Sequence, residues 1–405
     1  MNKKKRFVTI LLLGLLTAIV PFTIDMYLPG FPDIASSLNT TVSKVALSLS
    51  SFFIGMGLGQ LIYGPLLNRF GRKKPLYAGL FLYCITSIGC AYVTSIETLI
   101  LLRFIQAIGA CSATISATAM VRDLFPQHEN AKIFSFLILV LSASPMLAPS
   151  IGSWLSISFG WRSIFLVLTF LIIFIFLGIF FFLPESKGAD KKYSLRLPSI
   201  IKNYKAVFTE PYFVIYALIG GIGFAGLFAH IASSPGVFMQ HFSLTQKQYG
   251  WLFAFLASGL ILASQLNTAL LKRFKSEDLI ARALMFQIFF STVLVIASAA
   301  RLDNFWITSA LLFAYLSSIG LVMPNASALS MKPFERNAGS ASALLGFIQM
   351  GLGSLATVFV GVLNIKTVFP LSVTITICSI LGFGLVTWSK YFFSNQLTKN
   401  LGPGR

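Results

Sequence analysis

The chain has 405 residues, 56% of them hydrophobic and only 11% charged, against about 25% charged in a soluble domain. Apolar runs of about 20 residues recur along its whole length, each long enough to cross a bilayer core, and they lack the in/out alternation of barrel strands. These features exclude a soluble globule and a β-barrel, and predict an all-α polytopic membrane protein. The formal charge of +19 invites a nucleic-acid reading, but its distribution along the chain points to membrane topology instead.

Twelve membrane segments are expected, at 7–28, 44–67, 75–94, 97–122, 131–155, 162–183, 213–236, 246–271, 278–300, 303–328, 337–362 and 369–392. Lys3 to Arg6 followed by an apolar run imitates a signal peptide, but the run continues to about Leu28 with no clear small-residue cleavage site, so it reads as an uncleaved first helix. With the N-terminus inside, 25 of the 31 Lys and Arg fall in cytoplasmic segments, five in outer segments, and Arg103 within a helix. Loops rich in Lys and Arg stay inside, so both termini are expected in the cytoplasm. The Arg69, Arg72, Lys73 and Lys74 cluster sits in a gap short enough to force an antiparallel hairpin between the second and third segments.

The longest polar interval, 186–210, divides the chain into a bundle at 1–185 and a bundle at 211–405. Its Lys and Arg suit an interfacial basic helix against anionic membrane lipid. The two halves echo each other. Leu66-Leu-Asn-Arg-Phe70 returns as Leu270-Leu-Lys-Arg-Phe274, and Pro29-Gly-Phe31 as Pro235-Gly-Val237, at offsets of 204 and 206. A parallel duplication of a six-helix unit fits both.

Gly64-Pro-Leu-Leu-Asn-Arg-Phe-Gly-Arg-Lys-Lys74 resembles the loop signature of the major facilitator superfamily. Ile24-Asp-Met-Tyr-Leu-Pro-Gly-Phe-Pro-Asp-Ile34 resembles the end of helix one in its Bcr/CflA group of drug:proton antiporters. Leu102-Arg-Phe-Ile-Gln-Ala-Ile-Gly109 is similar to the helix-four motif of proton-coupled members, and Pro145-Met-Leu-Ala-Pro-Ser-Ile-Gly152 to the antiporter motif of helix five, with Pro145, Pro149 and Gly152 in the matching places. Gly339 to Gly346 with Gln349 also suits the group. The resemblance implies two six-helix bundles around a central cavity, alternating access, and export of small lipophilic or cationic compounds in exchange for protons. It implies a cytoplasmic gate built on Gly64, Asn68, Arg69, Gly71 and Arg72. Asn68 departs from the pattern, which has an acid there; it can hydrogen-bond but brings no negative charge.

Two charges lie clearly within the spanning runs, Asp25 near the outer end of helix one and Arg103 about two turns into helix four. A charge at the membrane centre costs about 2.5–3.5 kcal/mol on insertion scales, so each needs a partner, water or a function. A carboxyl that moves between apolar surroundings and the neighbourhood of a guanidinium can carry a proton, which makes Asp25 and Arg103 the proton-coupling candidates. The alternatives are that Asp25 meets interfacial water and caps the adjoining turn, and that Arg103 is a buried structural ion pair or a carbonyl clamp. Gln60, Gln106, His230 and Gln349 are candidates for the substrate cavity, with interhelical packing as the alternative for each. Among the aromatic side chains, Tyr27, Phe52 and Tyr63 are placed best to meet substrate. No Walker-type phosphate loop, nucleophile beside a base or metal-ligand cluster is present in the sequence. An enzyme, a cofactor and ATP drive are therefore not expected. The reading is a proton-coupled exporter in the bacterial inner membrane, a monomer that binds no nucleic acid. Export of an endogenous metabolite such as a siderophore, proton symport and a non-transporting sensor are the rival readings.

Overall fold

In a computed structural model, residues 3–191, 194–334, 338–363 and 367–400 are described. The cations Lys192, Arg336, Lys366 and Arg405 counted above lie outside them. The described chain is helical throughout, with no strand among the described residues. Its helices are α1 (Lys3–Asp25), α2 (Phe31–Ser37), α3 (Val42–Phe70), α4 (Lys73–Ala91), α5 (Ile96–Leu124), α6 (Gln127–Phe159), α7 (Arg162–Phe182), α8 (Leu197–Phe208), α9 (Pro211–Pro235), α10 (Gln246–Leu270), α11 (Ser276–Ala299), α12 (Phe305–Met331), α13 (Ala338–Val362) and α14 (Val368–Asn400). Eleven of the described segments are long and apolar enough to cross a membrane. The twelfth expected segment is α4, a helix of 19 residues packed between α5 and α7.

Local chemistry sets the ends. Thr41 caps α3 by accepting from Lys44 N (3.2 Å), Ser95 caps α5 through Thr98 N (3.2 Å), and Asn304 caps α12 through Ile307 N (2.9 Å). Thr245 opens α10 with a full capping box to Gln248. Thr41 and Thr245 are themselves 204 residues apart, so the repeat extends to the caps. The first helix stops at Asp25, short of the expected residue 28, and the chain passes through a 3₁₀ turn at Leu28–Gly30. Pro29 has no N–H with which to extend the ladder.

The pairing of helices repeats between halves. α1 packs on α6 as α9 packs on α13; α3 on α5 as α10 on α12; α4 on α7 as α11 on α14. The approach of α3 to α5 depends on Gly55, where a Cβ would run into the Phe104 carbonyl. Small residues allow such close contact where lipid supplies no hydrophobic drive between helices. The halves meet along two seams, α3 against α13 and α6 against α10.

The interval expected to lie on lipid is tied more closely to protein. α8 packs on α13 and α9 through the buried Val207, and Tyr204 donates to the Leu61 carbonyl of α3 (2.9 Å), while Lys202 and Lys205 stay exposed. The end of the molecule bearing these cations and those of the α3–α4 and α10–α11 turns is called the basic face below.

Candidate functional site

Between the halves lies a cavity of about 410 Å³ walled by α1, α3, α5, α6, α9, α10, α12 and α13. That size suits a drug-sized ligand. Its wall is mainly Phe, Leu, Ile and Met, and among its described lining residues Asp25 is the one carboxyl. Asp25 is 3% exposed, and no hydrogen bond or ion pair reaches it among the described residues. As the last residue of α1 it stands where the helix has run out of backbone donors. Gln60, Thr114 and His230 are the other polar groups on the wall. His230, on α9, is 2% exposed, has no hydrogen-bond partner at Nδ1 and lies 6.4 Å from the Phe253 ring.

Arg103 is fully buried but does not line the cavity. It points into the N-terminal half, over the rings of Phe52 (4.4 Å), Tyr27 (4.7 Å) and Phe165 (5.8 Å). It donates to Gln106 Oε1 (2.7 Å) and to the Thr23 carbonyl (3.2 Å). It makes no ion pair with Asp25; it is a carbonyl clamp. A cation on the last turn of α1 complements the helix dipole, and the faces of three aromatic rings offset part of its desolvation. The clamp fixes the turn that carries Asp25.

The helix-five motif acts on the same turn. A Cβ on Gly152 would overlap the Met26 carbonyl, so α6 and α1 touch backbone to backbone one residue beyond Asp25. Pro145 lines the cavity and Pro149 is buried.

Several expected cavity residues are elsewhere. Gln106 is held by Arg103, and Gln349 donates to Ser327 Oγ (3.2 Å), joining α13 to α12; neither lines the cavity. Tyr27 and Phe52 wrap Arg103, and Tyr63 packs against Gly79. The cavity's aromatic centre is instead Phe53 of α3 stacked flat on Phe228 of α9, centroids 3.8 Å apart. Phe52 and Phe53 are consecutive, about 100° apart around the helix, and a helix apolar all round gives the sequence no means of choosing between them.

The residues expected to form a gate gather at the basic face around a pocket of about 310 Å³, lined by Gly64, Asn68 and Arg72 together with Gly339, Ser340 and Ser342 in the first turns of α13. Gln60 and Thr114 border both this pocket and the cavity. Arg72 Nε donates to Asp123 Oδ2 (2.7 Å), and its Nη1 donates to the Leu67 carbonyl (3.0 Å) and Asn68 Oδ1 (3.2 Å). Glu185 accepts from the backbone N–H of Arg72 (2.8 Å) and of Lys73 (3.2 Å), a carboxylate at the N-terminus of α4 where the dipole favours it. Gly71 turns there with φ +84°, 3.1 Å from the Lys187 carbonyl as measured from an added Cβ, a conformation and approach that favour glycine. Arg69 donates to the Lys191 carbonyl. Asp123 and Glu185 were not among the expected site residues. With only 12 acidic residues in the chain, an acid at a helix end beside a basic loop was the signal that could have found them.

At the opposite face the halves are latched. Asp33 Oδ2 accepts from Ser156 Oγ (3.0 Å) and from Gln246 Nε2 of α10 (2.7 Å). A Cβ on Gly250 would come 3.2 Å from Ser150 Cα, so α6 and α10 are in close contact beside it.

The family model of the Major Facilitator Superfamily matches residues 13–358. The chain is 28% identical over 401 residues to a bicyclomycin resistance protein homolog of Haemophilus influenzae, covering 99% of this chain and 100% of that one. It is 27% identical over 374 residues to a chloramphenicol resistance protein of Pseudomonas aeruginosa, covering 90% and 86%. Its fold is similar to that of a D-xylose-proton symporter, with a TM-score of 0.77 at 15% identity over 93% of this chain and 97% of that one. With the paired halves, the cavity between them and the family match over most of its length, the chain belongs to the major facilitator superfamily.

Proposed function

We propose that the chain exports drug-like small molecules in exchange for protons, by alternating access of the central cavity to the two sides of the bacterial inner membrane, with the basic face in the cytoplasm. The observation that carries this reading is Asp25, a carboxyl with no partner, facing a drug-sized apolar cavity. The names of the two resistance-protein relatives support a drug-like cargo. In the cycle, Asp25 takes a proton from outside as substrate leaves, carries it inward and releases it to the cytoplasm as substrate binds there, and returns deprotonated with that substrate. Protonation and substrate shift the two-state balance through unequal affinity for the states. The voltage part of the gradient contributes about 2.3 kcal/mol per charge per 100 mV. The two halves, 1–185 and 211–405, move against each other, with the Arg72–Asp123 and Glu185 contacts holding the basic face and Asp33–Gln246 the other.

The test is proton release from acidified inverted vesicles on addition of chloramphenicol or another neutral drug. Wild type is expected to release protons, and Asp25→Asn to bind drug but release none. Normal proton-linked transport by Asp25→Asn would remove this residue from the proton path. Wild-type vesicles that move no proton with any compound of a broad panel would end the antiport reading.

A further inference from the structure

Position 230 follows position 25 by 205 residues, between the offsets of 204 and 206 that relate the two halves. Asp25 stands four residues before Pro29, and His230 five before Pro235. Each is on the first helix of its half, and those helices pack in equivalent pairs, α1 on α6 and α9 on α13. Both side chains line the one cavity, from opposite halves. Both are almost wholly buried, and neither has a hydrogen-bond partner among the described residues; Nδ1 of His230 is an orphan. Their neighbours on the wall are apolar, Phe53, Phe228 and Phe253 among them. A buried polar group left unpaired in such surroundings is expensive, and a ligand is what this arrangement has room for.

We propose that His230 is the cavity's second polar anchor, and that the transported molecule is held by bridging His230 of the C-terminal half and Asp25 of the N-terminal half. The class of substrate is an uncharged molecule with an apolar body and a hydroxyl or amide group on each side. A hydroxyl donates to the Asp25 carboxylate. The neutral imidazole donates or accepts according to its tautomer. Because the two anchors belong to different halves, one bound molecule ties the halves together. His230 selects the cargo, whereas proton exchange stays with Asp25. The inference rests on the export reading.

The experiment compares wild type, His230→Leu and His230→Gln in inverted vesicles with two probes. Chloramphenicol is neutral and carries hydroxyl and amide groups; tetraphenylphosphonium is bulky, cationic and has no hydrogen-bonding group. For chloramphenicol, His230→Leu is expected to raise KM about tenfold, the equivalent of about 1.4 kcal/mol, with maximal rate and protons per substrate unchanged. His230→Gln, which keeps a donor and an acceptor, should restore most of the affinity. The change in KM for tetraphenylphosphonium, which has no hydrogen-bonding group, should be much smaller than that for chloramphenicol. Binding of chloramphenicol to each purified protein, followed by tryptophan fluorescence, reads the same tenfold difference without transport. A wild type that binds but does not exchange protons therefore sinks the export reading and leaves the anchor assignment to be decided by the binding series. Equal affinities in wild type and His230→Leu, an equal loss for both probes, or failure of His230→Gln to rescue would overturn the inference.

Discussion

Gly152→Ala is the sharpest single perturbation of the candidate site, because it acts on backbone alone. A Cβ at this position would lie 2.7 Å from both the Cα and the carbonyl carbon of Met26, and closer still to its oxygen, where ordinary contacts begin at 3.4 Å. Neither partner is a flexible side chain, so α1 and α6 must part by about 1 Å, an overpacking that typically costs about 1–3 kcal/mol. Met26 follows Asp25 directly, and Arg103 holds the same turn from the other side. The displacement therefore falls on Asp25, the proposed proton carrier. A misplacement of about 1 Å can lower a rate by about 100-fold. The expected outcome is proton-coupled export reduced by at least about tenfold, with a lower Tm for the purified protein. Gly384→Ala is the control: it is also helical, and its added Cβ meets nothing within 4 Å, so it should transport normally and gain slightly in stability, by up to about 1 kcal/mol. If Gly152→Ala matches Gly384→Ala in rate and Tm, the α1–α6 contact is not what places Asp25.

Two further outcomes test the clamp and the gate. Arg103→Lys keeps a buried charge but loses the planar fork that reaches Thr23 and Gln106 together; one lost charged hydrogen bond is about 1.5–3 kcal/mol, so Tm should fall and export slow, and a variant with wild-type Tm would show that the clamp does not hold α1. Asn68→Asp places a carboxylate beside Arg72 Nη1 and on the pocket shared with the first turns of α13. It should favour closure of the basic face by about 1–2 kcal/mol, read as slower thiol labelling of a Thr118→Cys reporter in that pocket; unchanged labelling would mean that the missing charge is immaterial.

Much of the architecture is written in local chemistry that needs no neighbour. Runs of apolar residues as long as a bilayer is thick, Pro29 and Gly71 at turns, and Thr41 and Thr245 at matched caps specify helices, their number within one and the duplication. That Asp25 puts a charge in an apolar run was also legible; that no partner reaches it among the described residues was not. Which face of each helix meets which neighbour was not. Phe53 and Phe52 differ by one position and carry the same side chain, yet one lines the cavity and the other cages Arg103. Gln60 and Gln106 are the same residue type in similar runs, yet the first borders the cavity and the second is locked to Arg103. In lipid a helix can be apolar all round, so hydrophobic periodicity loses its meaning. Rotation is then set by close approaches such as Gly55 on Phe104 and Gly152 on Met26, which exist only when two helices are already together. The sequence by itself determined the helices, the repeat and the likeness of its motifs; tertiary packing decided that Arg103 holds a carbonyl and not a carboxylate, and that Asp25 and His230 face one another's half across a single cavity.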